Sequence, residues 1–179
     1  MTRKYTGFAI LMHWVLAVAL FCQIGLGLRM GDIPKGDPSR AYWFNMHKSV
    51  GLVLAVLILV RIWWRAKNTP PPLPGSMKRW EVIASKASHH LLYLCMVVMP
   101  LSGYIGSNFT KYGVKFFGIP LAPWGTDDKN IYAVFNGIHE FCADVLIVVI
   151  VVHVLAAIKH RVIDRDTVFQ RMLPGSAGR

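Results

Sequence analysis

Apolar residues run along the chain in four long blocks, roughly Phe8–Leu28, Trp43–Trp64, Ser88–Phe109 and Ile131–Ile158, separated by shorter polar stretches. A helix that crosses the hydrocarbon core of a bilayer needs about 20 residues, and each block supplies that length. The connections carry the residues that interrupt helices. Thr69-Pro70-Pro71-Pro72-Leu73-Pro74 reads as a stiff extended spacer. The stretch from Thr110 to Asn130 holds Gly118, Pro120, Pro123 and Gly125, and with Phe116, Phe117 and Trp124 it is suited to fold back as a cap. Pro100 predicts a kink in the third block. The pattern predicts an all-α fold, a transmembrane up-down-up-down four-helix bundle.

The first block follows Arg3 and Lys4, and Ala17-Val18-Ala19 resembles a signal-peptide cleavage site. The apolar run continues past it to Leu28, longer than a signal sequence needs, so we expect a retained helix. At 179 residues the chain is expected to form a single integral-membrane domain, 1–179. Its hydrophobic content of 54% and mean hydropathy of +0.43 exceed those of ordinary soluble domains. A formal charge of +11 would suit a nucleic-acid binder, but the basic residues collect at the ends of the apolar blocks instead of along one face. We therefore expect a lipid bilayer as partner and no nucleic acid. Trp14, Trp43, Trp63, Trp64, Trp80 and Trp124 also fall near block ends, as an aromatic belt requires.

The positions of Lys and Arg predict orientation. The amino end, the second connection with its flanks and the tail hold thirteen, among them Arg3, Lys4 and Arg179, against six in the other two loops. Positive charge favours the cytoplasmic side, so both termini are expected there.

Histidine supplies the candidate chemistry. His139 and His153 lie fourteen residues apart in the fourth block. Fourteen residues of α-helix rise ~21 Å and return the side chain to within ~40° of the starting face. Ionisable residues inside a membrane helix point to function, and imidazole is a good axial ligand for haem iron. His13, in the first turns of the first helix, matches His153 in depth. His47, in the first turns of the second, matches His139. Two haems in the bundle core follow, each with two imidazoles and no open position, an arrangement for electron transfer. The alternative for His139 and His153 is two core histidines hydrogen-bonded to neighbouring helices. Cys22, Cys95 and Cys142 are scattered, and without a CxxCH motif any haem is not covalently attached.

Arg61 follows His47 by fourteen residues and returns to its face at the depth of the inner haem. It suits a propionate there, or it is an interfacial arginine. Gly51, one turn after His47, could admit a macrocycle close to the backbone, as could Gly27, Gly103 and Gly106; packing of small residues explains them nearly as well. His89, with no histidine of matched depth, suits a hydrogen-bonding role in a quinone site beside the inner haem. His160, seven residues past His153, could join that site or be an interfacial basic residue. Asp144, inside the fourth block, could carry a proton or pair with Lys48. Lys48, Lys111 and Lys115, with Arg40, would surround the outer haem with positive charge and steer a small anion to it, or else hold propionates or solvate the loop.

His13-Trp14, His47 with Gly51, Arg61 in VRIWWR, the Pro-rich turn, and His89 with Pro100 and Gly103 form an ordered set. His139-Glu140, His153 and the tail Asp166-Thr167…Arg171-Met172-Leu173-Pro174 continue it. Over nearly the whole chain this set resembles the bacterial cytochrome b561 family, which is similar to the cytochrome b subunits of hydrogenases and formate dehydrogenases. The resemblance implies two haem b groups, ligand pairs His13 with His153 and His47 with His139, and residence in the bacterial inner membrane. Some members are superoxide oxidases, so it also implies superoxide as electron donor and ubiquinone as acceptor. The other readings are a membrane anchor and quinone-reactive subunit for a soluble hydrogenase or dehydrogenase, and a non-catalytic carrier.

Overall fold

The computed structural model describes residues 4–175; Arg3 and Arg179, used in the charge comparison, lie outside the described residues. Four helices account for most of the chain: α1 Gly7–Gly31, α2 Arg40–Lys67, α3 Arg79–Asn108 and α4 Lys129–Val162. All four are long and apolar enough to cross a membrane. Their ends reach beyond the apolar blocks because capping and interfacial polar residues extend each one. Thr6 Oγ1 accepts from Ala9 N at the start of α1. Asp128 Oδ1 accepts from the amides of Asn130 and Ile131 at the start of α4. The largest difference is at α3, which begins at Arg79, not at Ser88. Glu81 sits in its first turn, where the helix dipole favours an acid, and accepts from Lys78 N at 2.9 Å. The helix runs without a break through Pro100.

Consecutive helices are antiparallel. Trp64 of α2 lies against Phe8 of α1, their rings 4.4 Å apart, and donates to Thr6 Oγ1. Gly106 of α3 lies against Phe135 of α4, and Cys142 donates to Cys95 O. Packing is closest for α1 on α2, α2 on α3 and α3 on α4. Among the described residues, α4 makes no comparable backbone approach to α1 or α2. Two small clusters fill the interior: Leu16, Leu54, Ile58 and Met96 in one, Cys95, Cys142 and Leu146 in the other. The outer surface is apolar, with Val18, Phe21, Leu59, Val148 and Leu155 exposed. This is a surface for lipid tails.

The loop after α3 does fold back on the bundle. Lys115–Phe116 (β1) pairs antiparallel with Ile119–Pro120 (β2). Phe117 and Gly118 turn between them at φ 47° and 93°, and glycine makes the second of these positions free of strain. Ser49 of α2, fully buried, anchors this hairpin. Its hydroxyl donates to Asn45 O and accepts from Phe117 N at 2.8 Å. Lys48 donates to Gly113 O at 2.8 Å. The hairpin therefore lies on the first turns of α2.

Leu146 is only 2% exposed. Lipid tails are as apolar as leucine, so truncating it costs mainly the cavity it leaves. Leu146→Ala should destabilise the bundle by about 1–3 kcal/mol. Leu155→Ala on the lipid face should be near neutral. Unfolding by titration with a denaturing detergent measures both.

Candidate cofactor sites

The four paired histidines come together as two facing pairs. His13 of α1 faces His153 of α4 with ring centres 6.3 Å apart. His47 of α2 faces His139 of α4 with centres 6.1 Å apart. All four rings are half-buried. The pairs lie where α4 stands back from α1 and α2. The His13–His153 pair is toward the end that holds both termini, and the His47–His139 pair toward the hairpin.

The spacing can be tested against a metal between the rings. An imidazole bound through nitrogen at about 2 Å sets its ring centre about 3 Å from the metal, so two opposed rings stand about 6 Å apart. Both pairs meet that spacing. Three further observations agree with a bound macrocycle. His139 Nδ1 lies 2.9 Å from Met99 O, an anchor of the kind that leaves the other ring nitrogen free as ligand. The His47 ring has the equivalent anchor in the backbone of Gln23, one turn before Gly27 on α1. Gly27 and Gly103 leave room for the ligand rings: an added Cβ at Gly27 would meet His47 Cε1 at 3.3 Å, and at Gly103 it would meet His139 at 3.1 Å. The donor set fits haem.

Arg61 reaches the inner pair, as its register predicted. Its Nη2 is 3.4 Å from His13 Nδ1, and its Nε donates to Tyr93 Oη at 3.1 Å. Arg65, exposed, lies over the same tyrosine ring at 5.3 Å. The two guanidiniums line a groove with Trp64 and Met172. His89 also joins this pair, its ring centre 5.3 Å from that of His153 and its Nδ1 2.6 Å from Ser85 O. His90 is exposed and bonds Lys86 O of its own helix.

Other residues stand elsewhere than the spacing suggested. His160 turns from His153 toward the tail: its Nδ1 is 2.6 Å from Asp166 and 3.2 Å from Asp164. Lys159 bridges Asp164 at 2.6 Å and Glu81 at 2.7 Å. This network and a bond from Trp14 Nε1 to Met172 O hold the tail, with its short turn Phe169–Met172, against the bundle end. The acids were missed because each looks like ordinary interfacial charge; the signal was Asp164 and Asp166 placed one turn or so beyond Lys159-His160. Gly51 opens toward α1, where an added Cβ would meet Gln23 Nε2 at 3.2 Å. Gly106 makes room for Phe135. Asp144 does not pair with Lys48, which bonds Gly113 O; it is exposed on the outer face of α4 beside Phe141 and Val148. Lys111 and Lys115 are exposed on and beside the hairpin.

A family model described as prokaryotic cytochrome b561 matches residues 4–175. The chain belongs to the prokaryotic cytochrome b561 family. Cytochrome b561 homolog 2 of Escherichia coli (strain K12) is 31% identical over 181 residues, spanning 98% of this chain and 94% of that protein. Cytochrome b561 homolog 1 of the same organism is 26% identical, spanning 96% and 98%. The probable superoxide oxidase CybB of Yersinia pestis is 27% identical, spanning 99% and 100%. Membership makes the protein a bacterial membrane cytochrome b of electron transport, an oxidoreductase with haem b as its cofactor.

The tail network yields a prediction. Arg171 is 4% exposed and shielded from protease while the tail is docked. Asp166→Ala removes the nearer of the two acids on His160, and the cap on Val168 N, and should speed tryptic cleavage after Arg171 about tenfold. Mass spectrometry of the released peptide measures the rate.

Proposed function

We propose that this cytochrome b561-family protein holds two haem b groups, one between His13 and His153 and one between His47 and His139. We further propose that it oxidises superoxide at the outer side of the bacterial inner membrane and reduces ubiquinone near the inner side. The whole chain acts as one domain, with both termini in the cytoplasm. The observation that carries this reading is the pair of ring separations, 6.3 and 6.1 Å, where α4 stands back from α1 and α2.

Haem supplies reversible one-electron transfer when bound. The chain's residues do the rest. His13 with His153 and His47 with His139 would hold one haem each through two imidazoles, an arrangement suited to electron transfer. Met99 O fixes the tautomer and orientation of His139. Arg61, beside His13, would offer its guanidinium to a propionate. His89, its Nδ1 held by Ser85 O, keeps its other nitrogen for a quinone oxygen beside the inner pair. His160 is committed to Asp166 and Asp164, so the quinone role rests on His89.

At the outer side Lys111 and Lys115 are exposed, and Lys48 is tied to Gly113 O as a fixed charge between the hairpin and His47. Such a field raises the encounter rate of a small anion. The name of the Yersinia pestis relative supports superoxide as that anion. The reaction balances as two superoxide ions giving two molecules of oxygen and two electrons, with ubiquinone taking both electrons and two protons. The surplus of Lys and Arg at the terminal end, thirteen against six, supports the orientation.

Two experiments test the reading. The purified protein, mixed with superoxide, should show reduced haem that added ubiquinone reoxidises. An unreduced spectrum, together with co-purification of a large soluble redox subunit, would favour the membrane-anchor reading instead. Lys111→Glu with Lys115→Glu should slow reduction by superoxide about tenfold at low salt and flatten its salt dependence. His139→Ala should lose the outer haem and keep the inner one, read as haems per chain by pyridine haemochrome; two normal haem spectra in that variant would refute the ligand assignment.

A further inference from the structure

Ser49 shares one face of α2 with Val53, Val56, Val60 and Trp63, spaced four and three residues apart in turn. The four apolar members are exposed, Val56 to 61% and Trp63 to 59%, so the face is turned to lipid. Ser49 is two residues past His47, ~200° around the helix, and points away from the histidine pair. It alone on this face is fully buried, and the hairpin of β1 and β2 covers it. The hairpin therefore packs on the lipid side of α2, outside the bundle.

Trp43, at the start of the apolar block, marks the membrane surface. Ser49 lies six residues further along α2, ~9 Å deeper. The hairpin backbone is tied down at that depth. Phe117 N donates to Ser49 Oγ at 2.8 Å, and the same hydroxyl lies 3.2 Å from Lys115 O. Lys48 donates to Gly113 O, and Leu121 N to Val114 O at 3.0 Å. With its nitrogen turned to Lys115 O, the Asn45 amide bridges that carbonyl and Gly118 N at 3.2 Å each. Three polar side chains of α2 are thus directed to the backbone of one segment. Irregular backbone is tolerated at membrane depth where protein supplies its hydrogen bonds in this way.

Outward, the hairpin presents apolar groups: Phe116, Phe117, Ile119 and Leu121, with Ile119 exposed to 66%. Such a cluster is unfavourable against water and continues the apolar stripe of α2 below it. Lys111 and Lys115 precede the cluster, and their stems are long enough to keep the charges at headgroup level.

We propose that this hairpin is an interfacial membrane anchor, with Phe116, Phe117, Ile119 and Leu121 seated among phospholipids at the headgroup–acyl boundary of the leaflet at that end. Through Lys48 and Ser49 it holds the first turns of α2, and with them His47, at a set depth. Aromatic and aliphatic groups rimmed by lysine are the chemistry of segments that lie in this boundary.

The test is power-saturation electron paramagnetic resonance of nitroxide labels on the full-length holoprotein in vesicles of phosphatidylethanolamine and phosphatidylglycerol. Labels go on Ile119→Cys and Leu121→Cys, each in a Cys22→Ala background because Cys22 is exposed. Val56→Cys supplies the lipid reference, and Lys35→Cys, exposed in the loop between α1 and α2, the water reference. The ratio of oxygen to water-soluble nickel-complex collisions at Ile119 should exceed that at Lys35 about tenfold and approach that at Val56. Leu121, whose amide closes the hairpin onto Val114 O, should follow Ile119 if the label leaves the hairpin in place; where the two differ, Ile119 decides. A ratio at Ile119 equal to that at Lys35 would place the hairpin in water and overturn the proposal. Shielding from both reagents would also overturn it, since protein and not lipid would then cover the cluster.

Discussion

Two imidazoles on one face of α4 must each meet an imidazole from another helix across a gap of about 6 Å, and the bundle is arranged around that requirement. The separations of 6.3 and 6.1 Å recur although the facing residues come from different helices running in opposite directions. To hold the gap open, α4 leans on α3 instead. That contact depends on small or slender groups: Gly103 beneath His139, Gly106 beneath Phe135, and Cys95 with Cys142. In lipid, where apolar burial contributes little to helix association, close approach at small residues is what remains to join helices. α3 thus serves as a rigid strut, while α1 and α2 form the opposite wall.

Polar groups within this bundle fall into two sets, and the division follows chemistry. Around the outer pair, the groups that hold the histidines and the hairpin are a carbonyl, an amide and a hydroxyl, namely Met99 O for His139, Gln23 for the backbone of His47 and Ser49 for the hairpin, with Lys48 beside them on Gly113 O. Around the inner pair they are cationic and aromatic: Arg61, Arg65 and Tyr93, with His89 as a third imidazole. Neutral anchors orient a ligand without adding charge in the apolar interior. Guanidiniums near the membrane surface can meet an anionic group and still reach water. The terminal end is closed by a separate ionic network through Lys159, His160, Glu81, Asp164 and Asp166, which fastens the tail. The family assignment makes this a membrane electron-transfer protein, and its two ends differ in the chemistry they present.

Much of this was legible in one dimension. Four apolar blocks specify four spanning helices because no other backbone arrangement satisfies its hydrogen bonds in lipid within a span of that length. The fourteen-residue spacing of His139 and His153 places both on one face of α4 because helical periodicity is fixed. Arg61 reached His13 by the same arithmetic, whereas the approach of His89 to His153 came only from the packing of α3 on α4. Gln23 also carried a readable signal, an amide between apolar neighbours, but nothing in the sequence named its partner.

Only tertiary structure decided which partner each polar group found. His160 shares the register of His153, yet it turns to Asp166, because the chain reverses after α4 and returns two acids to that spot. Asp144 lies on the ligand helix, yet it faces outward, away from Lys48. Gly51 is one turn from His47, yet its space is taken by a glutamine of α1. Periodicity fixes the rotation of a residue about its own helix axis and its depth in the membrane, since both are local. Which neighbour occupies that direction depends on helix crossing, loop return and side-chain rotamer, and these are set by packing between segments far apart in the chain.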